Sequence, residues 1–167
     1  PDNLPIFSDV RMILLMARSL GIQMRGHVLV WHSQTPKWFF KENYSTDANA
    51  AYVDKATMTA RQEWYIKSVL DYVRTWEEEN NGGKRIITTW DVVNEAVADG
   101  AGGKKWLRED SDWFRIYKSE EFLLNAFRFA NKYAPSDVKL AYNDYNCYAP
   151  NKREAIANLI DLIKATP

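Results

Sequence analysis

The sequence predicts an α/β fold built as a partial parallel barrel, with about three strand–helix units of a (β/α)8 architecture. Three observations carry this. Apolar, β-branched runs alternate with segments of helical periodicity, in the order helix, strand, helix, strand, helix, strand, helix. No two strands stand close enough to pair as a hairpin, so right-handed crossovers in a parallel sheet are the simplest connection. Each strand ends in a polar or aromatic cluster, which is where α/β barrels gather their chemistry.

Taken in order, Ser8-Asp9 stands ahead of Val10, Ile13, Leu14, Ala17 and Leu20 as an N-cap signal, and Gly21 closes a first helix over Asp9–Leu20. Ile22–His32 is short and β-rich and reads as a buried strand. From Ser33 to about Asn49 the chain is polar and interrupted by Pro36, a long loop at the strand's C-terminal end. A helix follows over Ala56–Glu79, with Met58, Trp64, Val69, Leu70, Val73 and Trp76 as its apolar stripe and Asn80-Asn81-Gly82-Gly83 as its stop.

The run Ile86-Ile87-Thr88-Thr89-Trp90-Asp91-Val92-Val93 is the central strand, and it breaks abruptly into Asn94-Glu95. A glycine-rich loop over Asp99–Lys105 and an irregular stretch with Trp106 and Trp113 come next, the Lys104-Lys105 pair reading as solvated surface. Ser119 with Glu120 and Glu121 opens a helix whose stripe is Phe122, Leu123, Ala126, Phe127 and Ala130, and Pro135 ends it. Val138–Tyr142 is the third strand, delivering Asn143-Asp144-Tyr145-Asn146, and a helix over Lys152–Lys164 closes the order.

Neither G-x-G-x-x-G nor G-x-x-x-x-G-K-[ST] follows the first strand, so a doubly wound nucleotide fold is the poorer choice and a barrel the better one. A complete barrel takes about 250 residues. The 167 residues therefore read as a single segment of a barrel catalytic domain, spanning 1–167.

Composition narrows the partners. The 22 basic and 22 acidic residues cancel, which gives no electrostatic case for nucleic acid or an anionic membrane surface. No apolar run is long enough to span a membrane, and Pro1-Asp2-Asn3 lacks the character of a signal peptide. With Cys147 the only cysteine, no internal disulfide or cysteine-based metal site can form. His27 and His32 are five apart on one strand and point to opposite faces, so no metal or other cofactor is expected. Seven Trp and nine Tyr suit either a large core or stacking platforms for flat ligands.

Three stretches can now be read together: Gly26-His27-Val28-Leu29-Val30-Trp31-His32-Ser33-Gln34-Thr35-Pro36-Lys37-Trp38, Trp90-Asp91-Val92-Val93-Asn94-Glu95-Ala96, and Tyr142-Asn143-Asp144-Tyr145-Asn146. They closely resemble successive signatures of glycoside hydrolase family 10, the endo-β-1,4-xylanases, in the family's order. The Asn-Glu pair alone is common to many retaining glycosidase barrels; the histidine and tryptophan stretch is the specific part. The resemblance runs from the first helix to the last and implies strands three to five of a TIM barrel.

That resemblance implies that Glu95 is the general acid/base and that Asn94 bonds the 2-hydroxyl of the reacting sugar. It implies that His27 and Gln34 bind hydroxyls on the glycone side, that Trp31 walls that sugar, and that Tyr145, with Asn143 nearby, lines the aglycone side. His32 should then be a satisfied histidine behind the site, Asp91 a structural ion-pair partner, and Trp64 and Trp76 core; Trp38 and Trp113, in loops, could stack sugar or pin their loops.

The family's nucleophile, a glutamate in a Thr-Glu-Leu-Asp type motif on the seventh strand, has no counterpart in this sequence. Glu120 and Glu154, on helices, have no reason to reach Glu95. The expected function is thus a retaining endo-xylanase segment that acts on xylan or xylo-oligosaccharides and holds the acid, with the remaining strands either supplied by another segment or belonging to the same, incompletely represented protein. A polymeric substrate implies a secreted or cell-surface location. The alternatives are a xylan-binding protein without chemistry and a related barrel acting on β-glucan or mannan.

Overall fold

The structure is a computed structural model that describes residues 5–102 and 105–166. Pro1-Asp2-Asn3 and Lys104, read above from sequence, lie outside the described residues.

A three-stranded parallel sheet in the order β1 (Met24–Trp31), β2 (Ile87–Asn94) and β5 (Lys139–Asn143) forms the frame. Helices α1 (Ser8–Leu20), α2 (Lys55–Asn80), α4 (Glu121–Tyr133) and α5 (Pro150–Ala165) alternate with these strands as expected. The predicted boundaries hold to within two residues. The αL residue Gly21 ends α1, with its N–H on the Ala17 and Arg18 carbonyls. Its start differs, because Phe7 holds the N-cap position without a side-chain bond and Ser8 is already helical.

Burial explains the central strand. Trp90 through Asn94 are all buried, as a strand covered on both faces should be. Gly26, the register partner of Trp90, is required: a Cβ there would stand 2.3 Å from the Trp90 indole. The C-terminal end of α2 fixes where β2 begins. Glu77, buried, accepts from the N–H groups of Ile86 at 2.8 Å and Ile87 at 2.9 Å, and pairs with Arg85 at 3.0 Å.

Other expectations change. Asp99–Gly102, expected as loop, lies in β3 (Val97–Gly102), which pairs antiparallel with β4 (Lys105–Leu107), Val97 opposite Leu107. Glycines depress strand propensity, which hid the pairing. The stretch around Trp113 forms a short helix, α3 (Asp112–Tyr117), capped by the Ser111 hydroxyl on the Phe114 N–H at 3.0 Å. The segment after β1 contains two 3-10 turns, tied to α2 by the buried Arg61, which donates to the carbonyls of Phe39 and Lys41.

Trp76 joins the core, as does Trp113, which stacks on Phe122. Trp64 does not; it is half-buried and lines a cleft. On α1 only Leu14 and Ala17 are buried, while Met12, Ile13, Met16 and Leu20 face outward.

Candidate active site

The register brings the three strand ends level. Trp31 at the end of β1 pairs with Asn94 at the end of β2, and Asn94 pairs with Asn143 at the end of β5. Asn143 Nδ2 donates to Asn94 Oδ1 at 2.9 Å across that register. Asn94 is 2% exposed, so its amide is held inside the sheet end and cannot wander among rotamers.

Glu95 stands one residue past β2 with φ of 54°, in the left-handed region that disfavours side chains. Such a conformation costs about 1–3 kcal/mol and persists only where the surroundings impose it. Here they do. The Glu95 N–H donates to the Asn143 carbonyl at 2.9 Å, and Arg108 Nε donates to the Glu95 carbonyl at 2.9 Å. The carboxylate itself receives the Trp31 indole N–H on Oε2 at 3.0 Å. Trp31 is anchored in turn through its carbonyl, which accepts from Trp113 Nε1 at 3.0 Å and Thr35 Oγ1 at 2.9 Å. Trp113 therefore pins the site from the core.

His27 lies four residues before Trp31 on β1, edge-on to it with ring centroids 5.9 Å apart. Its Nδ1 bonds Asp91 Oδ2 at 3.0 Å, and Arg25 Nε reaches the other oxygen at 2.8 Å. Asp91 is thus the ion-pair partner the sequence suggested, and it orients the His27 ring. Gln34, also with left-handed backbone, follows in the loop. A cleft of about 810 Å³ runs along the β1 edge, lined by His27, Trp31, Gln34, Trp38, Tyr44 and Trp64 among others. Glu95 is not in its wall; it meets the cleft through Trp31.

On the β5 side the Tyr145 hydroxyl bonds Asp99 and accepts from Arg108 at 3.2 Å, and Lys152 Nζ sits 3.8 Å from the ring centroid. The structure therefore gathers Trp31, Asn94, Glu95 and Asn143 into one bonded group. His27 and Gln34 fall in the cleft beside it, and Tyr145 lies on the far side, without a hydrogen bond to the Glu95 carboxylate among the described residues.

Sequence reasoning missed the residues that hold this arrangement. Lys152, buried, bridges Asp99 and Asp144, each at 2.8 Å. Burial alone would lower its ammonium, but the hydrogen bonds to Asp144 and Asp99 outweigh it and hold the group above the usual lysine value. The same bond, with that from Tyr145, holds the Asp99 carboxyl below its ordinary range. Residues 99 and 152 are remote in the chain, and nothing local in the sequence marks their pairing. His32 differs from its expected satisfied state: its buried Nδ1 has no partner among the described residues. Burial, helped by the Arg108 charge, holds its imidazole below the ordinary value.

A parallel strand–helix frame with a carboxylate set at a strand's C-terminal end, beside an amide and an indole, defines a segment of a (β/α)8 barrel with its site at the C-terminal face. The chain belongs to glycosyl hydrolase family 10, whose model matches residues 4–166. It is 46% identical over 151 residues to a putative endo-1,4-beta-xylanase of Caldicellulosiruptor saccharolyticus, covering 90% of this chain and 45% of that protein. It is 46% identical over 150 residues to endo-1,4-beta-xylanase B of Butyrivibrio fibrisolvens, covering 90% of this chain and 21% of that one.

Among solved structures, an endo-1,4-beta-xylanase from Caldicellulosiruptor owensensis superposes with a TM-score of 0.78 at 36% identity, over 100% of this chain and 45% of that one. Xylanase 10B of Clostridium thermocellum, in complex with xylohexaose, does so with a TM-score of 0.77 at 36% identity, over 92% and 30%. The chain thus spans less than half the length of these relatives.

Proposed function

We propose that this chain carries the acid/base half of the active site of a retaining endo-β-1,4-xylanase. The observation that carries the reading is Glu95, turned out of the end of β2 by its left-handed backbone, bonded by the Trp31 indole and flanked by Asn94. The relatives' names and the xylohexaose held by one of them supply the substrate class.

On this reading the protonated Glu95 gives its proton to the glycosidic oxygen as the bond to the leaving sugar breaks. Its ionised form later takes a proton from the water that releases the glycosyl-enzyme. Asn94, its carbonyl oxygen already occupied by Asn143, keeps its amide N–H groups for the 2-hydroxyl of the reacting sugar. His27, Gln34 and Trp31 bind the glycone side. Asn143 supports the aglycone side, where Tyr145, with Lys152 on one ring face, keeps the other for stacking.

Retention needs a second carboxylate about 5–5.5 Å from the acid. No Thr-Glu-Leu-Asp motif occurs in the 167 residues, so the nucleophile is proposed to come with the remaining barrel units. Those units would pair with the open edges of β1 and β5 and cover the outward apolar residues of α1. Because xylan is a polymer too large to enter a cell, the activity is proposed to lie outside the cell or at its surface.

The test is the rate of reducing-sugar release from xylan by the complete gene product beside its Glu95→Gln variant. A loss of about 10²–10⁴-fold is expected for removal of a general acid/base. Equal activity would overturn the assignment. Calorimetric binding of xylo-oligosaccharide with no hydrolysis would make it a binding protein instead, and faster turnover of glucan or mannan would reassign the substrate.

A further inference from the structure

The turn that carries Glu95 is clamped through its backbone from both sides. Tyr142 Oη accepts from the N–H groups of Ala96 at 2.9 Å and Val97 at 3.0 Å and donates to Asp144. A phenol has two lone pairs and one proton, and all three are used. Asp144 is fixed in its turn by Lys152 at 2.8 Å and by the Tyr145 N–H at 2.8 Å. From the opposite side Arg108 donates through Nε to the Glu95 carbonyl at 2.9 Å and through its own N–H to the Ala96 carbonyl at 2.8 Å. With the Asn143 carbonyl on the Glu95 N–H, every backbone polar group of Glu95 and Ala96 is bonded outside the turn. Burial and the Asp144 carboxylate push the Tyr142 phenol up, so it stays protonated and keeps donating.

We propose that Tyr142 and Arg108 are positioning residues for Glu95, holding its left-handed turn so that the carboxyl is aimed at the glycosidic oxygen. The proposal rests on Glu95 being the acid. Among the described residues neither side chain bonds the carboxylate, so each acts through where the backbone puts it. A merely structural role would lower turnover of all substrates alike; a displaced acid hurts only those whose leaving group needs a proton.

The experiment is kcat/KM of the complete gene product on aryl β-xylobiosides, comparing a dinitrophenyl leaving group with an unsubstituted phenyl one, for wild type, Tyr142→Phe and Glu95→Ala. For Tyr142→Phe the expected result is a loss of about tenfold or more with phenyl and under about threefold with dinitrophenyl. An equal loss on both, or none on either, overturns the proposal. Glu95→Ala separates the two readings. If it shows the steep leaving-group dependence and Tyr142→Phe does not, only positioning fails; if Glu95→Ala is itself flat, the acid assignment fails and the proposal falls with it. Should Tyr142→Phe not accumulate as folded protein, Arg108→Met makes the same comparison from the carbonyl side, with the same expected and overturning results.

Discussion

The indole N–H of Trp31 donates to the carboxylate of Glu95 at 3.0 Å, across 64 residues of sequence and from one strand end to the next. On the proposed reading Trp31 is therefore more than a wall for a sugar. It fixes one carboxylate oxygen and leaves the other to act, and its own position is set by Trp113 and Thr35 on its carbonyl.

Trp31→Phe keeps an aromatic face and removes the donor. A hydrogen bond to a charged group is worth about 1.5–3 kcal/mol, so kcat on xylan should fall by about tenfold or more while KM changes less. Steady-state kinetics of the complete gene product check this; a raised KM with unchanged kcat would leave Trp31 as a wall alone.

Glu77→Ala should destabilise the fold by about 2–4 kcal/mol, because it strands the buried N–H groups of Ile86 and Ile87 and leaves the Arg85 guanidinium with Asp137 as its one remaining carboxylate. Glu77→Gln, which keeps one acceptor, should lose less. Urea denaturation followed by tryptophan fluorescence measures both, and a loss below about 0.5 kcal/mol for alanine would refute the account of how β2 is started.

His32 makes stability depend on pH in a defined window. Its folded value lies below the ordinary 6.5. Above that value both states hold it neutral and it contributes no penalty. As pH falls through 6.5 the unfolded chain takes up a proton that the folded chain refuses, so stability drops until the folded value is reached. The lowered carboxyls of Glu63 and Asp71 act only at lower pH, below the ordinary 4.5 and 3.8. Urea midpoints between pH 7 and 5 should therefore fall in the wild type and fall less in His32→Phe; parallel curves would contradict the burial of an unpartnered imidazole.

Much of the frame was legible because it rests on local chemistry. Periodicity marked α2 and α4, Gly21 marked the end of α1, and the apolar run into Asn94-Glu95 marked a covered strand with a polar end. Two short elements escaped. The β3–β4 pairing was hidden by the glycines of β3, and α3 was too short for its periodicity to show. Trp64, expected in the core, is half-buried in the cleft wall, and Trp113, left open between stacking sugar and pinning its loop, is core, since which face of an element meets solvent depends on what packs over it.

By itself the sequence determined the alternation of strands and helices, the fold class, and the residues Trp31, Asn94, Glu95 and Asn143 at strand ends. Only the tertiary structure decided that these ends are level, that Trp31 bonds Glu95, and that Tyr142, Arg108, Asp144, Lys152 and Asp99 form the support around the turn. The physical reason is the range of the forces concerned. Propensity and capping act over a few residues and leave a pattern in the chain, whereas a hydrogen bond between residues 99 and 152 is set by where two separately formed elements happen to dock.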